Sequence, residues 1–323
     1  MNKITQIIYI LLIGILVSCE NSTEQKLKEN TTAEIFSYFE KKPEFFTFSP
    51  DSFFTVIGKE GTEISIMPEC LVHQDGSLPT GEITLELKEC YSASDIIFNN
   101  LTTQTQNGLL ETGGMIYLQA KADGKVLKVK EGKSIEIKFP KKGKMKKGMH
   151  LFKGKKNENY IFWDETPISN EAEITIVTDT IMNSEWNSSD TIYDENDSAR
   201  LNYYLFNTPI TWWLNCDKRL EGDDKTVLTV NIDTSIIPNI RILFPNLKVA
   251  AFPLYENGKL IFYNIPKGES ATIIGFYKTE DKHYIYKKEI TVTTNIKETA
   301  IFREVSLEEL KAEVEAIKWK ESV

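Results

Sequence analysis

Hydrophobic and polar residues alternate along much of the chain after position 45, which is typical of β-strands with one buried face. The clearest example is Glu82–Lys88, in which Ile83, Leu85 and Leu87 lie on one face. Similar alternating segments are 63–66, 115–122, 134–139 and 160–163. These segments are separated by turn signals, among them Asn107-Gly108, Gly113-Gly114 and Asp123-Gly124. Short strands at this spacing predict an antiparallel β-sandwich over residues 46–177.

A second series of strand-like segments begins near Leu201 and includes 203–206, 210–214, 226–232, 240–244, 249–255, 260–263, 271–277 and 284–292. Between the two series, residues 178–200 are rich in Asp, Ser, Thr and Asn, which predicts an acidic linker. The predicted fold class is therefore all-β, with two tandem antiparallel β-sandwich domains. The second domain, 201–303, is predicted to be an immunoglobulin-like or transthyretin-like sandwich.

The last segment, 304–323, is predicted to contain a short α-helix. Ser306 and Glu309 have the spacing of a capping box. One face of the helix carries the hydrophobic residues Leu307, Leu310, Val314 and Ile317. This face is expected to dock on the second domain, and the alternative is a helix that binds a partner.

The first 18 residues have the pattern of an export signal. Lys3 supplies a positive charge, and the apolar run Ile7–Val17 is too short to span a bilayer, which takes about 20 residues. The sequence Leu16-Val17-Ser18-Cys19 resembles the lipobox of bacterial lipoproteins. The resemblance implies cleavage before Cys19 and acylation of that residue, and the alternative is a plain secretory signal. Residues 19–45 are predicted to be a polar tether.

The charge balance narrows the choice of partners. The chain has 47 acidic and 38 basic residues and a net charge of −9, which disfavours nonspecific binding to nucleic acid. Lys141, Lys142 and Lys144 belong to a basic run that departs from this balance. They are candidates for contact with an anionic polysaccharide. The alternative is a solvated loop after Pro140, in which lysines discourage pairing at a sheet edge.

Trp212 and Trp213 are the other candidates for ligand contact, because an indole ring can stack on a sugar or on a partner protein. Neighbouring residues of a strand face opposite ways, so both rings cannot lie on the same face. The alternative hypothesis places one ring in the core and leaves the other partly buried at the interface of the two predicted domains.

Three cysteines follow Cys19 in the chain. An oxidising cell envelope would permit a disulfide between Cys70 and Cys90, which follow one predicted strand and end the next. Cys216 is then expected to be a lone buried thiol. Cys70, His73 and Cys90 could supply three zinc ligands, but structural zinc normally has four. No metal and no cofactor are therefore predicted.

Three short motifs in the predicted linker suggest a covalent modification. They have the pattern Asp, then Ser or Thr, then an aliphatic residue, and they place candidate acceptors at Thr180, Thr191 and Ser198. The motif resembles the acceptor site of protein O-glycosylation in Bacteroidota. The resemblance implies a glycosylated linker.

The segment Gly58–Leu71, followed by Gly81–Leu85, resembles the ZU-type β-sandwich of ankyrins, netrin receptors and zonula occludens proteins. Its corner carries Glu69-Cys70 where that family usually has Gly-Ala. The segments 94–116 and 213–217 resemble uncharacterised envelope lipoproteins of Bacteroidota. The ZU-type resemblance implies a domain that binds other proteins and has no catalytic activity.

These observations together predict a non-enzymatic lipoprotein of the outer membrane that binds another envelope protein. The sequence contains no Gly-x-Ser-x-Gly nucleophile elbow, no phosphate-binding glycine loop and no His-Glu-x-x-His motif. A carbohydrate-binding lipoprotein of a glycan-uptake system is the alternative, and it predicts an exposed aromatic cleft. A hydrolase would need a pocket of carboxylates with perturbed pKa values.

Overall fold

The structure is a computed structural model that describes residues 32–157, 160–176, 201–222, 224–233, 235–256 and 258–320. It is all-β with a few short helices, as the alternating pattern predicts. The chain divides into two compact units. The larger unit comprises the described residues of Lys41–Lys225, Leu243–Ala251 and Ile317–Val323, and the smaller unit those of Met1–Glu40, Thr226–Ile242 and Phe252–Ala316.

Several sequence predictions concern residues outside the described ranges. These are the signal 1–18, Cys19, the first part of the tether, the linker 178–200 and the acceptor candidates Thr180, Thr191 and Ser198. Within the described ranges, no helix combines the length and the apolar composition needed to cross a membrane.

The strands of the first half of the chain are β1 (Glu44–Phe48), β2 (Phe54–Ile57), β3 (Glu63–Ile66), β4 (Leu71–Val72), β5 (Ile83–Cys90), β6 (Leu101–Thr105), β7 (Leu110–Ala122), β8 (Lys125–Val126), β9 (Lys128–Val129), β10 (Ile135–Pro140), β11 (His150–Lys156), β12 (Ile161–Trp163) and β13 (Glu173–Ile176). Those of the second half are β14 (Leu201–Thr208), β15 (Trp213–Arg219), β16 (Lys225–Asn231), β17 (Asn239–Phe244), β18 (Val249–Ala251), β19 (Leu254–Glu256), β20 (Lys259–Pro266), β21 (Ser270–Thr279), β22 (Lys282–Thr291), β23 (Ile296–Thr299) and β24 (Arg303–Val305). The helices are α1 (32–39), α2 (Ala93–Phe98) and α3 (Leu307–Glu315), and Pro245–Leu247 forms a 3₁₀ turn.

The larger unit is a β-sandwich of two sheets. One has the order β1-β5-β7-β15-β11-β12-β6 with β8 added to β7, and the other has the order β13-β14-β10-β3-β2. Strands β4 and β9 form a separate two-stranded ribbon. The strands of this unit pair antiparallel in the described residues, except that β12 pairs with β6 in parallel. The two sheets share one hydrophobic core.

Alternation along the strands builds this core. In β5 the inward residues are Ile83, Leu85 and Leu87, as the sequence predicts, and each is almost fully buried. The other sheet contributes, among others, Ile64, Ile66, Ile135, Ile137, Phe139, Tyr204 and Phe206. Burying one such aliphatic side chain contributes about 1.5–3 kcal/mol to the free energy of unfolding.

The predicted division into sandwiches at 46–177 and 201–303 is wrong. Strand β14 lies in the larger unit, where it pairs with β10 from Ile135 to Pro140, and β15 lies between β7 and β11. The chain after the predicted linker therefore returns to the first sandwich. Local periodicity cannot reveal such pairings, because it shows which face of a strand is buried and not which strands lie beside it.

The smaller unit contains a sheet of order β19-β20-β16-β23 and a second sheet that includes β17-β21-β22-β24. Helix α1 belongs to this unit, where Ile35 is fully buried and the rings of Phe36 and Phe276 meet edge to face at 5.8 Å. The predicted tether 19–45 is therefore wrong for its last part. Residues 32–39 form a helix that packs on the unit through Ile35 and Phe36, and β1 already begins at Glu44.

Helix α3 begins where the sequence predicts. The Ser306 hydroxyl accepts a hydrogen bond from the Glu309 amide at 3.1 Å, and Leu310 and Val314 are buried. The helix packs on β22, where the Lys287 ammonium donates to the Glu313 carbonyl and to its carboxylate, both at 2.9 Å. The helix therefore docks on a strand of the second β region, as predicted, and this strand belongs to the smaller unit.

Candidate functional site

The larger unit contains an open cleft with a volume of about 430 Å³. It lies between the β14–β15 connection and the β8–β9 segment. Its lining residues are Gln74, Val126, Leu127, Lys128, Val129, Lys153, Pro209, Ile210, Thr211 and Trp212. Pockets of this size and mainly apolar lining are typical of ligand sites. We refer to it as the Trp212 cleft.

The β14–β15 connection is fixed at both of its ends. Pro209 has no amide hydrogen, so it cannot continue the ladder of β14. The Thr208 hydroxyl accepts a hydrogen bond from the Ile210 amide at 3.3 Å, and the Trp212 carbonyl accepts one from the Leu118 amide at 3.1 Å. These contacts hold the Trp212 backbone beside the edge of β7 and place its side chain at the cleft.

The floor of the cleft is part of the sandwich core. Leu127 and Val129 are buried members of the core, and Ile210 packs against it. The Leu127 amide donates to the Ala120 carbonyl at 2.9 Å, which fixes the β8–β9 segment over the sheet. An apolar group in the cleft would therefore contact the hydrophobic core directly.

Trp212 forms a wall of the cleft and is half-buried. Its ring meets the ring of Tyr117 edge to face at 5.6 Å, while Trp213 is buried and lies 5.4 Å from the same ring. One tryptophan is thus in the interior and the other is partly buried, so the alternative hypothesis is confirmed for the burial of the two rings. Tyr117 contacts both rings and so restrains the orientation of Trp212.

The charge of the cleft differs from that of the whole chain. Its ten lining residues include Lys128 and Lys153 and no carboxylate. The Lys128 ammonium donates to the Gln74 carbonyl at 2.8 Å, and the Gln74 side-chain amide donates to the Val126 carbonyl at 3.2 Å. Lys153 takes part in no ion pair between described residues. The cleft is therefore locally basic within an acidic protein.

The predicted lysine candidates lie elsewhere, because none of Lys141, Lys142 and Lys144 lines the cleft. The Lys142 ammonium donates to the Glu60 carbonyl at 2.8 Å and lies 5.0 Å from the centre of the Tyr91 ring. Lys141 is half-buried, and Lys144 is exposed. Lys142 is thus engaged in contacts within the protein, and the three candidates lie apart from the cleft.

The predicted disulfide between Cys70 and Cys90 is absent, and these two residues and Cys216 are free, buried thiols. Cys70 belongs to the sandwich core, as do Leu85 and Leu87. Cys90 has the opposite parity along β5, so its side chain lies on the other face of the sheet. Cys70 instead donates from its sulfur to the Ser134 carbonyl at 3.4 Å. Burial raises the pKa of all three thiols.

No three potential metal ligands among His, Cys, Asp and Glu cluster within the described part of the chain. A second cleft, of about 470 Å³, is polar and is lined by Pro167, Ile168, Ser169, Asn170, Glu171, Glu173, Leu205, Phe206 and Asn207. The Glu171 carboxylate accepts a hydrogen bond from the Gly148 amide at 2.5 Å. The second cleft contains two carboxylates, those of Glu171 and Glu173, and the Glu171 carboxylate is engaged by a backbone amide.

A buried polar cluster around Asp217 also escapes sequence analysis. The Asn215 side-chain amide donates to the Asp217 carboxylate, and the Thr112 hydroxyl donates to the Asn215 side-chain carbonyl at 3.2 Å. Burial raises the pKa of Asp217 well above its usual range. None of these residues lines either cleft, so the cluster contributes to the structure of the sheet.

One glycine of the segment that resembles the ZU-type sandwich has a clear structural basis. The segment begins with the turn between β2 and β3, in which the Gly58 amide donates to the Thr62 carbonyl at 2.9 Å. A Cβ on Gly58 would lie 2.4 Å from Glu89 Oε2, so only glycine fits there. Comparison of the chain with known protein families, curated proteins and solved structures finds no match. The family resemblance therefore stays a prediction.

Trp212 could be predicted from the sequence, but its neighbours in the cleft could not. Gln74, Lys128 and Lys153 belong to three separate segments that carry no motif. Their approach to Trp212 depends on β14 and β15 joining the first sandwich, which the alternation pattern did not predict. The adjacent tryptophans were the one signal in the sequence that pointed to this place.

Proposed function

We propose that this protein is a lipid-anchored protein of the outer membrane that binds another envelope protein, without catalysis, through the Trp212 cleft. The observation that supports this most directly is the composition of the cleft. Its floor consists of core residues such as Leu127, and its wall is a half-buried tryptophan. Buried aromatic anchors in such pockets dominate the binding energy of many protein interfaces.

The cleft is preorganised for binding a partner. The Trp212 ring is restrained by Tyr117, and the floor is already packed, so little conformational entropy is lost when a partner covers them. Hot-spot residues of this kind typically contribute 2 kcal/mol or more on truncation to alanine. The Trp212→Ala variant is therefore expected to lose most of the affinity while the fold persists.

Photo-crosslinking in native membranes tests the proposed contact. A photo-reactive p-benzoylphenylalanine is placed at position 212 and, as a matched control, at position 255, where Tyr255 is an exposed aromatic residue of the smaller unit. We expect a defined adduct from position 212 only, and loss of partner co-purification in Trp212→Ala but not in Tyr255→Ala. Adducts from both positions, or from neither, would contradict the proposal.

The anchor is tested separately. Acylation of Cys19 would add about 0.8 kcal/mol of membrane affinity for each buried methylene, so two or three chains hold the protein stably. Cys19→Ala is expected to move the protein from the membrane fraction to the soluble fraction. Cys70→Ala removes a buried thiol and should leave the distribution unchanged. Retention of the Cys19→Ala protein on membranes would refute lipidation as the anchor.

Carbohydrate binding is the second candidate function. It is favoured by the position of Trp212 beside the Gln74 amide and the Thr211 hydroxyl, since sugars bind through stacking together with polar contacts. Calorimetric titration with neutral soluble oligosaccharides distinguishes the two functions. Saturable binding that Trp212→Ala abolishes would favour the glycan, and its absence beside a position-212 adduct would favour the protein partner.

A further inference from the structure

We infer that the occupant of the Trp212 cleft is an extended segment of a partner protein that carries an apolar side chain flanked by carboxylates. This inference rests on the proposed function and adds the chemistry of the ligand. Two independent features of the cleft point to it. One is the apolar floor, and the other is a lining that contains two lysines and no carboxylate.

The shape and the floor favour an apolar side chain from a short segment. A volume of about 430 Å³ admits a few side chains but not a folded surface. Leu127 and Val129 of the sandwich core form the floor together with Ile210, which packs against that core. Transferring an apolar side chain onto this floor removes apolar surface of both partners from water, which is favourable roughly in proportion to the area covered.

The charge favours carboxylates beside that side chain. The cleft lining holds two lysines and no acidic residue. Lys128 is held by the Gln74 carbonyl, and Lys153 makes no ion pair with another described residue. An acidic ligand is therefore attracted to this place. Such complementarity fixes the register of a bound segment and excludes partners of the wrong charge.

Three blocked hexapeptides serve as defined probes. The first, Ser-Asp-Leu-Phe-Glu-Ser, is apolar and acidic. The second, Ser-Asn-Leu-Phe-Gln-Ser, keeps the apolar pair without the charges, and the third, Ser-Asp-Ser-Ser-Glu-Ser, keeps the charges without the apolar pair. Each peptide is titrated by calorimetry into the full chain carrying Cys19→Ala, which is soluble if the anchor is as proposed. We expect the first to bind most tightly and the third not to bind.

Lysine variants assign the charge effect to the cleft. Lys153→Gln and Lys128→Gln are each expected to weaken binding of the acidic apolar peptide by about fivefold, which corresponds to about 1 kcal/mol. They should leave binding of the neutral peptide unchanged. The matched control is Lys144→Gln, which removes an exposed lysine outside the cleft. Raising the salt concentration should reduce the preference for the acidic peptide in the unmodified cleft.

The outcomes separate this inference from the proposed function. Equal affinity for the acidic and the neutral peptide, with no effect of the lysine variants, would overturn the inference and leave the protein-binding function in place. The same holds if no peptide binds although position 212 forms its adduct. If no peptide binds, no adduct forms and a neutral oligosaccharide saturates the cleft, both the inference and the proposed function fail.

Discussion

The ring of Tyr91 lies so close to Gly114 that a Cβ on Gly114 would be 2.1 Å from Tyr91 Cε1. The φ angle of Gly114 is +139°, a conformation that residues with a side chain rarely adopt. The Tyr91 hydroxyl is held in place by the Thr62 hydroxyl at 2.7 Å. Gly113 and Gly114 lie inside the long strand β7, at its bulge opposite Cys216 and Asp217. They do not form the turn that the sequence predicts.

Gly114→Ala is expected to lower the free energy of unfolding by about 3 kcal/mol, combining backbone strain with the clash against Tyr91. Urea unfolding measures this change. The control is Gly124→Ala, where φ is +72° but no atom lies within 4 Å of the new Cβ. It should lose about 1 kcal/mol from strain alone. Equal losses in the two variants would show that the Tyr91 contact is not responsible.

Glu89 holds the β2–β3 turn through its buried carboxylate. Its two oxygens accept hydrogen bonds from the Glu60 amide at 2.8 Å and the Thr62 amide at 2.9 Å. Glu89→Ala leaves both donors without their acceptor and should lower the free energy of unfolding by about 3 kcal/mol. Glu86→Ala removes a carboxylate from the same strand that makes a partly exposed ion pair with Lys121, and should lose at most about 1 kcal/mol. Comparable losses would contradict a special role for Glu89.

Asp217 is expected to make stability depend on pH. Burial raises its pKa in the folded state above that of the unfolded chain, so the folded state retains a proton that the unfolded state releases. The free energy of unfolding should therefore fall as pH rises from about 4 through the folded-state pKa, by up to about 1.4 kcal/mol per pH unit.

Asp217→Asn should remove this decline, which urea unfolding at a series of pH values from 4 to 8 would detect. Asp233 provides a contrast of opposite sign, because the backbone amide of Ser235 lowers its pKa. The stability that Asp233 contributes is present above its unfolded-state pKa and is lost as pH falls through its folded-state pKa. A pH dependence that is the same in Asp217→Asn and in the original chain would refute the burial argument.

The accessibility of the thiols tests whether Cys70, Cys90 and Cys216 are free and buried, as the structure has them. In a Cys19→Ser chain without reductant, Ellman's reagent should detect no thiol in the native state, because burial of all three sulfurs blocks access and raises their pKa values. After denaturation it should detect three. One thiol after denaturation would contradict this expectation, because two of the three cysteines would then be joined in a disulfide.

Much of the secondary structure could be predicted because the evidence for it is local. The alternation of Ile83, Leu85 and Leu87 gives the inner face of β5, and Ser306 marks the start of α3 through a hydrogen bond within one turn. Such features depend on side chains a few positions apart. The same parity rule, applied to Cys90, would have placed its sulfur on the face away from the core.

The sequence by itself determined the all-β class, the buried faces of the strands and the capped C-terminal helix, because these follow from the period of the backbone. Only the tertiary structure decided that β14 and β15 complete the first sandwich and that Gln74, Lys128 and Lys153 meet at Trp212. Strand partners are chosen by packing between residues far apart in the chain, and a local pattern is compatible with many such choices.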